Sequence, residues 1–89
     1  MRIDNPNDYV KYEYRDSLGR LHRIDGPACE NNWGDKIWYN SGKLHREDGP
    51  AVEYANGYRD WWYNGKYFGS NNDFTNKSWQ KFVKTLIFS

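Results

Sequence analysis

Residues Leu21 to Ala28 read LHRIDGPA, and 23 residues further on Leu44 to Ala51 read LHREDGPA. The same offset carries Trp38 onto Trp61, Gly34 onto Gly57 and the pair Gly42, Lys43 onto Gly65, Lys66, so the echo spans a whole structural unit. Self-similarity at a fixed period of this length marks stacked supersecondary units. Such units cannot bury their apolar faces alone, and the surface they build together commonly binds another molecule.

With 89 residues the chain makes one small domain, burying only ~60 to 65% of its unfolded surface, so large side chains have to supply the core. Five Trp, eight Tyr and four Phe are available for that. A mean hydropathy of -1.15 would suit a disordered chain, but disordered segments are poor in aromatics. Thirteen basic and twelve acidic residues give a net charge of +1 with no basic run, so strong attraction to nucleic acid or anionic membranes is not indicated. Near-neutrality favours a protein partner or a small ligand. A single Cys29 excludes an intramolecular disulfide, and no apolar stretch is long enough for a leader or a membrane span. The expected compartment is the cytoplasm. A start at Met1 and an end just after an apolar helix read as a complete small gene product.

Residues 9 to 15 alternate, with Val10, Tyr12 and Tyr14 on one side and Lys11, Glu13 and Arg15 on the other, the two-residue period of a half-buried strand. Asp16, Ser17 and Gly19 supply the next turn. Within each unit a strand is expected from Pro27 or Pro50, a turn at Gly34 or Gly57, a second strand carrying Trp38 or Trp61, and a turn at Gly42 or Gly65. Asn56-Gly57 and Asn64-Gly65 suit type I′ hairpin turns, since both residue types tolerate positive φ. The predicted fold is mostly β: an up-and-down antiparallel meander of 23-residue hairpin repeats, capped by one C-terminal helix. Its parts are a partial repeat at 9–20, repeats at 21–43 and 44–66, a degenerate cap and loop at 67–75, and a helix at 76–87, all in one domain. Asn72, Asp73 and Thr75 offer helix-capping oxygens, and Phe74, Trp79, Phe82, Val83 and Leu86 share the spacing of one helical face. That face should pack on the sheet and shield an open edge.

His22, Arg23 and Asp25, with their copies His45, Arg46 and Asp48, are the polar residues the repeat keeps. Histidine as base and Asp as its orienter would suit catalysis, but no nucleophile is repeated with them, and an active site is normally built once. Gly26, Pro27, Gly49 and Pro50 complete a turn instead: Asp bonds back to turn backbone, Gly takes a disfavoured conformation, and Pro leads into the next strand. Arg23 and Arg46 would then pair with Asp25 and Asp48 or a neighbouring carboxylate. No metal and no cofactor are expected. His22, His45 and Cys29 are the soft or borderline ligands on offer, and residues one repeat apart sit about 10 Å apart across a sheet, with side chains that do not converge. Cys29 also falls in the column of Val52, a small apolar position.

The second repeat carries more rings than one sheet face can hide. Trp61 and Tyr63 point one way from their strand and Tyr58 and Trp62 the other. Exposed rings rimmed by charge mark interaction sites, which makes Trp62, Tyr58, Trp33 and Tyr39 the candidate binding residues. The 23-residue period, the run Trp38 to Lys43 and the run Trp62 to Lys66 together resemble the MORN repeat over roughly residues 10 to 69. The LHRxDGPA wording is similar to the variant found in small bacterial and phage proteins, including the antitoxin-like YwqK group. Standard MORN units carry a Gly-x-Gly where this chain has His, Arg, x, Asp, Gly, Pro. That departure and the lack of a basic patch argue against phosphoinositide binding. The resemblance implies an elongated sheet engaged in interaction and not catalysis.

The function expected is that of a non-enzymatic protein-binding module, by family analogy a phage or bacterial accessory protein that inhibits or neutralises a larger host protein. The alternative is single-stranded nucleic-acid binding, with rings stacking on bases and Lys36, Arg59 and Lys66 meeting phosphates. Unpaired end strands would also allow a dimer through the sheet edges.

Overall fold

The alternating residues of Val10–Tyr14 do form a strand, and Arg2–Asp4 returns against it as an edge strand that the sequence reading did not anticipate. The computed structural model describes residues 1–88. Its strands are β1 (Arg2–Asp4), β2 (Val10–Tyr14), β3 (Cys29–Asn31), β4 (Lys36–Ile37), β5 (Tyr39–Asn40), β6 (Lys43–Leu44), β7 (Val52–Glu53), β8 (Arg59–Tyr63) and β9 (Lys66–Ser70). A 3-10 turn at Asn71–Asp73 leads to the helix α1 (Asn76–Phe88), which starts at the expected residue and runs one residue further. Seven strands form one antiparallel sheet in the order β1-β2-β3-β4-β7-β8-β9, and β5 and β6 pair separately as a two-stranded ribbon. The molecule is accordingly flat, 38 × 31 × 18 Å.

The ribbon is where the structure departs from a uniform meander. The strand expected to carry Trp38 is broken there: β4 ends at Ile37, β5 begins at Tyr39, and the Trp38 N–H donates to Ala51 O at 2.7 Å. In the second unit the corresponding segment stays continuous as β8, with a register shift between Trp61 and Trp62 at the equivalent point. Strands β3 and β7 also begin two residues after Pro27 and Pro50, leaving Ala28 and Ala51 fully buried at their threshold.

Of the two expected type I′ turns, one forms. Asn64 and Gly65 have φ of 48° and 80°, and Ser41 and Gly42 repeat the pattern with 52° and 82°, as a two-residue loop matched to strand twist requires. At Asn56-Gly57 only the glycine is left-handed, with φ 91°, and Gly57 N bonds back to Tyr54 O at 2.9 Å. The longer loop there reflects two ordinary residues, Ala55 and Asn56, turning before the glycine resets the strand.

Trp61, Trp79 and Val83 form the core, with Tyr63, Phe68, Phe74 and Phe82 packed against it. The Trp61 and Trp79 ring centroids stand 5.5 Å apart, and Phe74 lies 4.9 Å from Trp79 just ahead of the helix. Helix α1 opens on a reciprocal pair: Ser78 N donates to Thr75 Oγ1 at 3.0 Å and Thr75 N to Ser78 Oγ at 2.8 Å, a short version of the capping box. Trp79 pins the helix to the sheet through its Nε1, which donates to Arg46 O at 2.8 Å. Among the described residues no helix is long and apolar enough to cross a membrane.

Candidate functional site

The two LHRxDGPA loops fold back on themselves around their arginines. Arg46 Nε donates to Asp48 Oδ1 at 2.8 Å, and its Nη1 donates to Pro50 O at 3.1 Å and to Glu53 Oε1 at 2.9 Å. The guanidinium lies 3.9 Å over the Trp38 ring, a favourable position for a cation on an aromatic face. Arg23 repeats the arrangement one unit earlier, bonding Asp25 Oδ1 at 3.0 Å and Pro27 O at 3.3 Å and lying 4.1 Å over Tyr14.

Two expectations about these loops need correction. Gly26 and Gly49 do not hold positive φ. Glycine is needed there for space, because a Cβ would stand 2.9 Å from Arg23 Cζ and 2.8 Å from Arg46 Cζ. Asp25 and Asp48, in turn, accept from the arginines instead of from turn backbone.

His22 and His45 have a matching pair of roles. Ser41 N donates to His22 Nδ1 at 2.9 Å, and Asn64 N donates to His45 Nδ1 at 3.0 Å. Each imidazole thus holds the tight turn that closes its own repeat, and each is neutral when it accepts that bond. Burial pushes the His45 imidazole below the usual histidine range, against the opposing pull of Glu47. The ring also packs on Tyr63, 4.6 Å between centroids.

Between the two loops lies a cleft of about 390 Å³ lined by Arg23, Asp25, Trp38, His45, Arg46 and Asp48, among others. The groups a catalyst would use are bound to one another: arginine to aspartate, histidine to a backbone amide. Neither the cleft nor any other cluster among the described residues brings three His, Cys, Asp or Glu side chains to metal-binding distance. Cys29 is buried on β3, where desolvation raises its thiol pKa.

The four candidate aromatic residues divide between the two ends of the strands. Trp62 and Tyr39 belong to the hairpin end. Tyr39 is half-buried, its phenol pushed up by desolvation, and Trp62 is half-buried beside Tyr67 with its Nε1 enclosed and unpartnered. Trp33 and Tyr58 belong to the opposite, loop end and are exposed, 63% and 43%. Each has a ring partner that the sequence reading passed over. Trp33 stacks on Tyr9 at 6.0 Å and 19°, and Tyr58 meets Tyr54 edge-on at 5.7 Å. Tyr9 lies outside the aligned unit, and Tyr54 has a polar counterpart, Asn31, in the first, so repeat comparison did not single them out.

Side chains tie these loops into a row. Asn32 N donates to Tyr9 O at 2.9 Å and Asn32 Nδ2 to Asp8 O at 2.6 Å. Ala55 N donates to Asp35 Oδ1 at 2.7 Å, and Arg59 N to Asn71 Oδ1 at 3.1 Å. The Ala55 bond, with help from Asn31, holds the Asp35 carboxyl below the usual carboxylate range. The β1-β2 loop, the β3-β4 turn, the β7-β8 turn and the 3-10 turn therefore stand side by side on one edge, carrying Tyr9, Trp33, Tyr54 and Tyr58 among Asn, Asp and Gly.

Lys36, Arg59 and Lys66 do not line up. Lys36 pairs in register with Glu30 on one side and Glu53 on the other, and Arg59 sits opposite Glu53. Arg59 also bonds Asn72 at 3.0 Å, while Lys66 lies over Phe68 at the far end of the sheet. No family model, curated protein or solved structure matches the chain.

Proposed function

We propose that this chain is a non-enzymatic protein-binding module that contacts its partner through the loop edge bearing Tyr9, Trp33, Tyr54 and Tyr58. The observation that carries this reading is the exposure of two ring pairs on turns fixed by side-chain-to-backbone bonds. Tyr and Trp offer large contact area at small entropic cost, and Asn and Gly around them adapt their hydrogen bonding. Turns already ordered lose little freedom on binding. The composition of the edge supports reading it as a protein-recognition surface.

A catalytic role draws no support from the cleft, whose arginines are held by aspartates and whose His45 Nδ1 accepts a backbone amide. A nucleic-acid role would need a continuous cationic track, and the cross-strand row Glu30, Lys36, Glu53, Arg59 alternates in sign. The resemblance to variant MORN repeats supports the further reading of a small bacterial or phage accessory protein that occupies and neutralises a larger cytoplasmic protein.

The test is recovery of bound protein from a bacterial lysate by the chain and by its Trp33→Ala/Tyr58→Ala form. Central anchors of an interface cost about 2 kcal/mol or more each on truncation, so the double variant should lose its partner while melting at the same temperature. A partner retained by the double variant, or a single-stranded oligonucleotide bound with steep salt dependence, would overturn the reading.

A further inference from the structure

At the hairpin end each tight turn sits on the segment that leaves the turn before it, residues 20–22 for Ser41-Gly42 and 43–45 for Asn64-Gly65, through three relations that recur. The turn glycine donates to the carbonyl of the leucine that opens its own repeat: Gly42 N to Leu21 O and Gly65 N to Leu44 O, both 2.8 Å. The same glycine lies on the stem of a basic residue, Gly42 over Arg20 and Gly65 over Lys43, where an added Cβ would stand 3.6 Å from the stem in both cases. The residue before the glycine donates to a histidine, as described above.

The pattern is cut off after β9. Tyr67 stands 23 residues after Leu44, Lys66 after Lys43 and Phe68 after His45. Helix α1 covers the last position, with Trp79 and Phe82 5.9 and 5.2 Å from Phe68. It does not supply a turn for the other two: among the described residues no turn N–H donates to the Tyr67 carbonyl, and the Tyr67 side chain is 49% exposed.

We infer that the Lys66–Tyr67 edge is a second docking site, which accepts the glycine-containing type I′ turn of a β-hairpin from a different protein. Continuity with the internal stack defines what fits: a turn N–H for the Tyr67 carbonyl and a glycine flat enough to lie on the Lys66 stem. A bulkier residue at that turn position would be held off the stem. Backbone bonding of this kind is the usual basis of strand addition at a sheet edge.

A second copy of this chain is not the occupant. Its Gly42 and Gly65 amides are already engaged, and its remaining candidate, Gly19, donates to its own Asp16 O at 3.0 Å. Asp16 closes that first turn further by accepting from Leu18 N, Arg20 N and Arg20 Nε. The first unit is thus self-capped, whereas the last is open.

The probe is a peptide carrying Tyr39–Leu44 between two added terminal cysteines, closed by a disulfide so that the hairpin is formed before it binds. The readout is amide chemical-shift change across the full chain. Perturbation centred on Lys66–Phe68, weakened about fivefold or more when the peptide glycine is replaced by N-methylglycine and weakened again by Lys66→Ala, is the expected result. Loss of one net hydrogen bond sets that factor. No perturbation at millimolar peptide, equal binding of the N-methylated peptide, or perturbation confined to the Tyr9 and Trp33 loops would overturn the inference. None of these outcomes depends on the loop-edge partner proposed above.

Discussion

The Arg46 guanidinium rests 3.9 Å from the Trp38 ring centre and abuts Gly49 so closely that a Cβ there would come within 2.8 Å of its Cζ. The glycine of the repeated motif therefore makes room for the arginine. Gly49→Ala should destabilise the chain by about 1–3 kcal/mol, the usual range for overpacking, as read from urea denaturation. Because the cost acts through one side chain, the effect should nearly vanish in an Arg46→Ala background. Equal cost in both backgrounds would show that Gly49 is needed for its backbone alone.

His45 accepts a backbone bond only when unprotonated, and its burial favours that form. The folded pKa lies below the unfolded one, so the unfolded state takes up the proton first as pH falls. Stability from this residue is therefore full above the ordinary histidine range, and it declines as pH drops through that range toward the depressed folded value. Denaturation midpoints measured between pH 8 and pH 5 should fall toward acid, and His45→Gln should flatten that decline. A wild-type midpoint that rises on acidification would contradict the sign.

Trp79 is completely buried, packs on Trp61, Phe68, Phe74 and Phe82, and bonds Arg46 O across the chain. Trp79→Ala should cost about 3–5 kcal/mol, a large part of the ~5–15 kcal/mol total available to a natural domain. Circular dichroism should show the helical signal melting at lower temperature together with the sheet, since both rest on one cluster. A variant that keeps its wild-type melting point would remove α1 from the core.

Much of this architecture is legible in the residues. Period-two alternation gave β2, the Asn64-Gly65 pair gave its turn, and the spacing from Phe74 to Leu86 gave the helix and its buried stripe. The break at Trp38 was not legible, because Trp38 and Trp61 occupy equivalent positions and differ only in what covers them: an arginine in one unit, a helix tryptophan in the other. The edge strand β1 is three residues long with two charges, too short to show a period. The loop-end surface was half visible. Trp33 and Tyr58 stood out as surplus rings, but their pairing with Tyr9 and Tyr54 depends on turns that meet only after the sheet has formed.

The loop edge is tested most directly by placing a photo-crosslinking benzoylphenylalanine at position 33 and, as a control, at Ile24, which is 84% exposed on the rim of the cleft between the motif loops. Irradiation in a bacterial lysate should give a discrete protein adduct from position 33 and none from position 24. An adduct from position 24 alone, or attachment to nucleic acid at position 33, would contradict the assignment of this edge to protein recognition.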